Sequence, residues 1–334
     1  MEYSFGTMKK GKRNLITDVP GVKVGHVTLA DGDIQTGVTA VLPHTGDIFH
    51  EKCPAATHVI NGFGKSTGLM QINELGSIET PIILTNTLSV GTAFDACVRY
   101  MLGLNPGIGK HEGTVNPLIL ECNDGFLNDI RALSIKPEHV FSAISAASDT
   151  FDQGAVGAGR GMSCYGLKGG IGSASRVFEI GEEQYTLGVL VMTNFGSLSD
   201  LMICGDPVGQ KLLGKQEEAK GSCIMMIATD APLSSRQLQR ACRRAQSGLA
   251  RTGAVTEGGS GEVTVAFSTA NRLKTSEPVW NMRILNDGKL GPIFRAVTEC
   301  TEESIINSML YAEAVKGLDG HERKSLKQAI SRIY

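Results

Sequence analysis

Thr256-Glu257-Gly258-Gly259-Ser260-Gly261-Glu262 runs straight into Val263-Thr264-Val265-Ala266-Phe267. Two glycines deliver one serine to the first position of an apolar, β-branched run that reads as a buried strand. Gly259 tolerates strained backbone angles and puts no side chain near the carbonyl that precedes the serine. The residues are compatible with a glycine-rich hairpin without chemistry, or with a serine presented as a nucleophile.

A serine hydroxyl needs a base before it attacks anything. None of the seven histidines lies in a turn built for a His-assisted route. The Gly-x-Ser-x-Gly elbow is absent, because residue 262 is glutamate and a strand rather than a helix follows the serine. The alternative is self-cleavage between Gly259 and Ser260. The hydroxyl attacks the preceding carbonyl, water hydrolyses the resulting ester, and Ser260 becomes a new N-terminus. Its α-amine, with a reference pKa of roughly 7.7–8.0, then serves as the base for its own hydroxyl.

The chain has 334 residues, 41% of them hydrophobic and 20% charged, which is enough for a sizeable core. A formal net charge of -2 with no basic block argues against a nucleic-acid groove or an anionic membrane surface as partner. The eight cysteines are scattered without a Cys-x-x-Cys pair, so reduced, buried thiols are expected rather than a zinc site or disulfide framework. His26, His44, His50 and His58 stand at no metal-ligand spacing. No signal-like start and no apolar run of membrane-spanning length is visible, and the expected compartment is the cytoplasm. Without an internal repeat or low-complexity linker, one domain over residues 1–334 is expected.

Strands are expected at Val22–His26, Gly37–Pro43, Thr80–Thr87, Pro117–Cys122, Tyr185–Thr193, Cys223–Thr229 and, briefly, Trp280–Arg283. Helical spacing covers Val90–Met101, Lys136–Ser148, Ser234–Ala250 and Pro292–Val315. Lys211–Gly221 reads as a charged loop or short helix. Gly62-Phe63-Gly64-Lys65-Ser66 ends like a P-loop, but residue 59 is valine where that loop requires glycine. The glycine-dense stretch from Gly154 to Ser175 does not fit a dinucleotide fingerprint, yet it can line a pocket, and Tyr165 is its one polar aromatic. Asn194, at a strand end before Phe195-Gly196, is either a turn former or an oxyanion amide. Glu121 and Asp124 are either catalytic carboxylates or a solvated turn.

Val19-Pro20-Gly21-Val22-Lys23-Val24-Gly25-His26, Thr36-Gly37-Val38-Thr39, Pro81-Ile82-Ile83-Leu84-Thr85-Asn86-Thr87, Asn123-Asp124-Gly125-Phe126-Leu127-Asn128-Asp129, Lys168-Gly169-Gly170-Ile171-Gly172, Thr229-Asp230-Ala231-Pro232-Leu233 and Gly259-Ser260-Gly261-Glu262 occur in that order. Together they resemble the DmpA/BapA family of L-aminopeptidase/D-esterases and β-peptidyl aminopeptidases, from about residue 14 to residue 318. The resemblance implies an α/β fold: a four-layer αββα sandwich of the DmpA/ornithine acetyltransferase-like kind. It also implies a precursor that cuts itself into chains 1–259 and 260–334, which stay together, commonly in a homo-oligomer. Such enzymes release N-terminal residues from short peptides, amides or esters without metal or organic cofactor.

By the same resemblance Ser260 is the nucleophile and, through its new amine, a base. Asn194 is the oxyanion residue, Tyr165 the glycine-rich segment's tyrosine, and Glu302 the supporting acid in Cys300-Thr301-Glu302 or Thr301-Glu302-Glu303. Glu262 stands where aspartate is commoner, and Lys65 where an acidic residue is usual. Competing readings are an ornithine acetyltransferase-like acyltransferase, whose cut is made by threonine, and an uncleaved binding protein of the same fold.

Overall fold

Leu187-Gly188-Val189-Leu190-Val191-Met192 has no polar position, as expected of a strand covered on both faces. The computed structural model, which describes residues 3–212 and 221–331, shows where those faces go. Val189 and Val191 enter one hydrophobic core, and Leu190 and Met192 enter another on the opposite side of the sheet. Met225 and Ile227 part from Ile224 and Met226 in the same way. In a second sheet, Ile82, Leu84, Leu118 and Leu120 face the shared core, while Ile83 and Ile119 face a third.

The principal strands are β1 Lys23–Asp31, β2 Ile34–Leu42, β3 Glu51–Gly62, β4 Ile82–Asn86, β5 Leu118–Cys122, β6 Gly170–Ile180, β7 Glu183–Asn194, β8 Gly221–Thr229 and β9 Ser260–Ser268. One sheet runs β6-β7-β8-β9-β3, with two-residue strands Lys9–Lys10 and Leu273–Lys274 at its edges; the other runs β1-β2-β4-β5. The principal helices are α1 Leu69–Leu75, α2 Val90–Leu104, α3 Pro137–Ser145, α4 Ser235–Arg251 and α5 Gly291–Leu310. Leu238, Ala241, Ala245 and Leu249 of α4 and Ile293, Ala296 and Val297 of α5 cover the outer face of the first sheet. Ala93, Ala96 and Cys97 of α2 and Val140, Ala143 and Ile144 of α3 cover the outer face of the second. The layers are therefore helix, sheet, sheet, helix: the αββα sandwich.

Among the described residues two pairs of these strands are parallel, β8 with β9 and β4 with β5, and each needs a crossover helix. For β8 to β9 that helix is α4. It begins where Ser234 Oγ accepts from the Gln237 N–H at 3.3 Å and the Gln237 side chain accepts from the Ser234 N–H at 3.1 Å. The cap, the buried Leu238/Ala241/Ala245/Leu249 stripe and the αα contact with α5 fix the path that carries the chain back to Ser260.

Several expectations change. Trp280–Arg283 is not a strand; the Trp280 indole N–H donates to the Lys274 carbonyl at 2.9 Å, and the segment is irregular. The glycine-rich run from Gly154 continues into an eleven-residue strand, β6, whose small residues let α5 approach: a Cβ on Gly172 would lie 1.9 Å from the Ser304 carbonyl oxygen. β3 was hidden by Pro54 and a charged start. The last long helix ends at Leu310, and Val315 lies in a short hairpin strand. Within the charged Lys211–Gly221 stretch, Val208–Lys211 closes a short helix and Gly221 opens β8; residues 213–220 lie outside the described residues. Among the described residues no helix is long and apolar enough to cross a membrane.

Ser234→Ala removes the α4 N-cap and is expected to lower stability by about 1 kcal/mol. Urea unfolding monitored by circular dichroism checks this; an unchanged midpoint would mean the cap contributes nothing.

Candidate active site

Strand β9 brings the focal serine into the sheet at its first residue. Gly221 of β8 pairs with Ser260, Ser222 with Gly261, and Gly62 of β3 with Gly261 on the other side. The approach is a tight turn in which the Ser260 N–H donates to the Glu257 carbonyl at 2.9 Å. Just before it, Thr256 sits at φ +62°, a left-handed conformation that a β-branched residue rarely adopts. The Asn61 amide at the end of β3 donates to the carbonyls of Glu257 and Gly258 at 3.2 and 3.3 Å, and to that of Ser260. A Cβ built on Gly258 or Gly259 would meet nothing within 4 Å, so space is open around the bond preceding the serine.

Ser260 is buried, and its hydroxyl donates to Glu262 Oε1. Residues i and i+2 of a strand face the same side, so the Ser-x-Glu spacing puts the carboxylate beside the hydroxyl. Glu262 Oε2 is buried without a partner. Burial pushes the Glu262 carboxyl above the ordinary glutamate range, against the opposing effect of the Ser260 hydrogen bond. Such a carboxylate accepts a proton more readily than an exposed one.

Two cavities meet here. The larger, about 680 Å³, has Gly259, Ser222, Asn194, Asn123 and Glu121 on its wall. The smaller, about 10 Å³ and so of the order of one water, has Ser260 and Glu262. Phe195 and Gly196 border both. In the uncut chain the serine hydroxyl thus faces the small crevice, while the glycine before it faces the large one.

Asn194 ends β7 opposite Ser222, one strand away from β9, so its backbone lies roughly 10 Å from that of Gly261. Its Oδ1 accepts from the Ser163 N–H at 2.9 Å, which turns its NH2 towards the cavity side, where it donates to the Asn123 carbonyl at 2.8 Å. The loop carrying Ser163 is held by Lys168, a fully buried amine donating to the carbonyls of Gly159, Met162 and Gly169 at 2.9, 2.6 and 2.7 Å. Burial lowers the Lys168 pKa well below its ordinary value. Sequence reading did not single out Lys168.

Tyr165 and Glu302 stand elsewhere. Tyr165 is fully buried; its hydroxyl bonds Thr252 Oγ1 at 2.8 Å, its N–H donates to the Phe195 carbonyl at 2.7 Å, and burial pushes its phenol well up. Its ring lies under Gly196, where a Cβ would come within 2.6 Å of Cδ1. It shapes the wall shared by the two cavities and presents no hydroxyl to either. Glu302, on α5, accepts from Arg251 Nη1 at 3.1 Å. Cys300 Sγ donates to the Leu187 carbonyl at 3.9 Å, and Thr301 Oγ1 is buried without a partner. Neither register of the hydroxyl-x-glutamate pair reaches Ser260; the carboxylate on its hydroxyl is that of Glu262.

Glu121 and Asp124 are not a solvated turn. Both are buried at the exit of β5. Glu121 lines the large cavity, accepting from the Lys65 N–H at 2.8 Å and from the Thr87 hydroxyl. Asp124 accepts from the Thr36 hydroxyl at 2.6 Å and from the Asn128 amide at 3.1 Å, and burial lifts its carboxyl to about 6. The available signal was the apolar run into which Glu121 falls, next to last in β5, since a carboxylate inside a buried strand is seldom solvated. Three of the histidines serve local structure: His26 bonds Thr39, His44 the Glu51 carbonyl, and His50 both Asp47 and Glu112.

Comparisons with known proteins agree with this geometry. The profile of Peptidase family S58 matches residues 14–323. The beta-peptidyl aminopeptidase BapA of Sphingosinicella microcystinivorans is 39% identical over 96% of this chain and 87% of its own. A crystal structure of a Pyrococcus horikoshii OT3 protein superposes with a TM-score of 0.96 at 53% identity, covering 99% of this chain and 96% of that one. The L-aminopeptidase D-Ala-esterase/amidase of Ochrobactrum anthropi, described as a prototype for the serine aminopeptidases and a variant of the Ntn hydrolase fold, superposes with a TM-score of 0.90 at 33% identity, covering 98% and 96%. With a family match over most of its length and the same four-layer fold, the chain belongs to Peptidase family S58, the serine aminopeptidases with an Ntn-type hydrolase fold.

Proposed function

We propose that Ser260 first cuts the Gly259–Ser260 bond and then acts as the nucleophile of an aminopeptidase for short peptides, amides or esters, β-peptides among them. The observation that carries this is the buried Ser260–Glu262 pair directly behind an unobstructed Gly-Gly turn. In the first reaction ionised Glu262 takes the hydroxyl proton, and Oγ attacks the Gly259 carbonyl carbon. The C–N bond breaks, the Ser260 nitrogen receives the proton, and an ester joins Gly259 to Oγ. Water hydrolyses the ester, leaving a Gly259 carboxylate and a free Ser260 amine.

Separation of residue 259 from residue 260 removes the barrier between the serine's crevice and the large cavity. In the mature site the Ser260 amine takes the hydroxyl proton and later passes it to the leaving amine, and water ends the cycle by hydrolysing the acyl-enzyme. The Asn194 NH2 stabilises the oxyanion. Glu121 receives the substrate's ammonium group, which explains a buried carboxylate on the cavity wall. Tyr165 and Glu302 act as positioning residues: Glu302 holds Arg251, and the adjacent Thr252 bonds Tyr165 under the Phe195–Gly196 wall. Chains 1–259 and 260–334 remain together as one domain, since β9 is hydrogen-bonded on both edges by strands of the first chain. Exposed Met70, Leu75, Val279 and Trp280 favour a homo-oligomer of these cleaved heterodimers. Eight free cysteines suit a reducing, cytoplasmic setting.

Ser260→Ala is expected to lower hydrolysis of an aminoacyl-p-nitroanilide by roughly 10³-fold or more. Retained hydrolysis would remove Ser260 from the mechanism, and transfer to an amino acceptor with negligible hydrolysis would favour the acyltransferase.

Glu262→Gln is expected to slow self-processing by about 10²-fold. In the parent protein, processing should fall as acidification protonates Glu262, with an inflection above the ordinary glutamate value of 4.5 because burial raises this carboxyl. Time courses on denaturing gels across pH check both; a flat profile would exclude Glu262 as the base.

Tyr165→Phe should keep p-nitroanilide hydrolysis within about tenfold of the parent, as fits a wall support rather than a hydroxyl acting on the substrate. A hundredfold loss of kcat at unchanged fold would contradict that placement.

A further inference from the structure

One side chain from a neighbouring strand, the Asn61 amide, grips the turn before Ser260, and the chemistry described above leaves it unused. We propose that Asn61 is a positioning residue for the self-cleavage. Its NH2 group fixes the backbone on both sides of the Gly259–Ser260 bond and so keeps the Gly259 carbonyl carbon within reach of the Ser260 hydroxyl. This rests on the self-processing reading and adds a residue that the first reaction needs.

Asn61 owes its place to a bulge in β3. With Thr264 opposite His58 and Val263 opposite Val59, a regular antiparallel pair would put Ile60 opposite Glu262. Asn61 stands there instead, followed by Gly62 opposite Gly261, and Ile60 is the extra residue. Ile60 still packs against the core that lies under α4 and α5. A bulge of this kind bends its strand and re-aims a side chain. Residues directly opposite one another share a face, so Asn61 joins the face that carries Ser260 and Glu262. Past the bulge the two backbones run close together: a Cβ on Gly261 would lie 2.4 Å from the Phe63 carbonyl oxygen.

The amide is then surrounded by acceptors. Asn61 Nδ2 donates to the carbonyls of Glu257 and Gly258 at 3.2 and 3.3 Å, and to that of Ser260. Three carbonyl oxygens admit only the NH2 end of the side chain, since an amide oxygen there would face acceptors alone. The Glu257 carbonyl also accepts from the Ser260 N–H at 2.9 Å. The Ser260 nitrogen is the atom that leaves the acyl group in the cut. Asn61 therefore fixes the partner of the leaving nitrogen as well as the carbonyls before and after the reacting residue. It leaves out the Gly259 carbonyl, the one under attack.

The turn needs such a hold. Gly258 and Gly259 have no side chains to anchor them and open space around them. Thr256 sits at φ +62°, a conformation that persists only where the surroundings impose it. A fixed hydroxyl gains its advantage in an intramolecular attack only if the acyl group is also oriented.

The test follows processing of the full-length chain, made by cell-free translation, in time courses on denaturing gels. Asn61→Ala is expected to slow the cut by about 10²-fold. Asn61→Asp has the same shape without an N–H and should be at least as slow. Asn61→Gln keeps the NH2 one bond further out and should recover part of the rate. A side chain that only filled space would give the opposite order, with aspartate tolerated better than glutamine. Asn61 is half-exposed at the end of β3, so alanine there leaves the core intact, and circular dichroism of the uncut chain checks its fold. Processing at the parent rate in folded Asn61→Ala overturns this proposal alone, as does aspartate outpacing glutamine. A parent chain that stays uncut overturns the self-processing reading, and this proposal with it.

Discussion

The register of β9 is the constraint on which the site depends. Val263, Val265 and Phe267 are locked into the core between the sheets, while Ala266 faces the helices. A shift of one residue would turn that apolar set to the wrong face, so the strand has one way to sit. The same alternation puts Ser260 and Glu262 on one face, and the pairing with β8 and β3 puts them at the end where β7 delivers Asn194. Ser260, the proposed nucleophile, is positioned by the hydrophobic core of the whole sandwich, as the first residue of a buried strand. Only the bond before it belongs to the loop.

That division makes chemical sense of the glycines. Gly258 and Gly259 have open space around them, and Thr256 holds a left-handed backbone conformation. From Ser260 onward every residue through Ser268 is buried. An unobstructed carbonyl beside a fixed hydroxyl suits an intramolecular attack, because the attacking group is oriented in advance. The carboxylate that would accept the proton shares the burial of the serine, and its second oxygen has no competing partner. Around this centre the polar side chains are well held: Lys168 donates to three carbonyls, and Glu121 accepts from the Lys65 N–H and the Thr87 hydroxyl.

Much of this was legible from sequence wherever one physical signal dominated. Uninterrupted apolar runs at 187–192 and 223–228 marked strands covered on both faces, and the spacing of Leu238, Ala241, Ala245 and Leu249 marked the inner face of α4. The four layers came from a resemblance spread over several motifs, not from any single pattern. β3 was missed because Pro54 and charged residues mask it, and β6 because its glycines and serines, which let α5 pack closely, also look like a loop. Tyr165 and Glu302 have the right chemistry for a site, but burial commits the tyrosine to Thr252 and an ion pair commits the glutamate to Arg251. Glu262 was in plain view two residues from the serine. Only strand periodicity, applied to polar rather than apolar residues, would have singled it out as the serine's partner. Glu121 needed the cavity, which brings together β5 and the loop after β3.

The central claim is that the Gly259–Ser260 bond is made to be broken by Ser260 itself. Intact-mass measurement of the purified protein under denaturing conditions, with N-terminal sequencing of the smaller species, tests it most directly. The account predicts two chains, the smaller beginning at Ser260, and a single full-length chain when Ser260 is replaced by alanine. A single full-length chain in the unaltered, active protein, or a cut at any other bond, would contradict it.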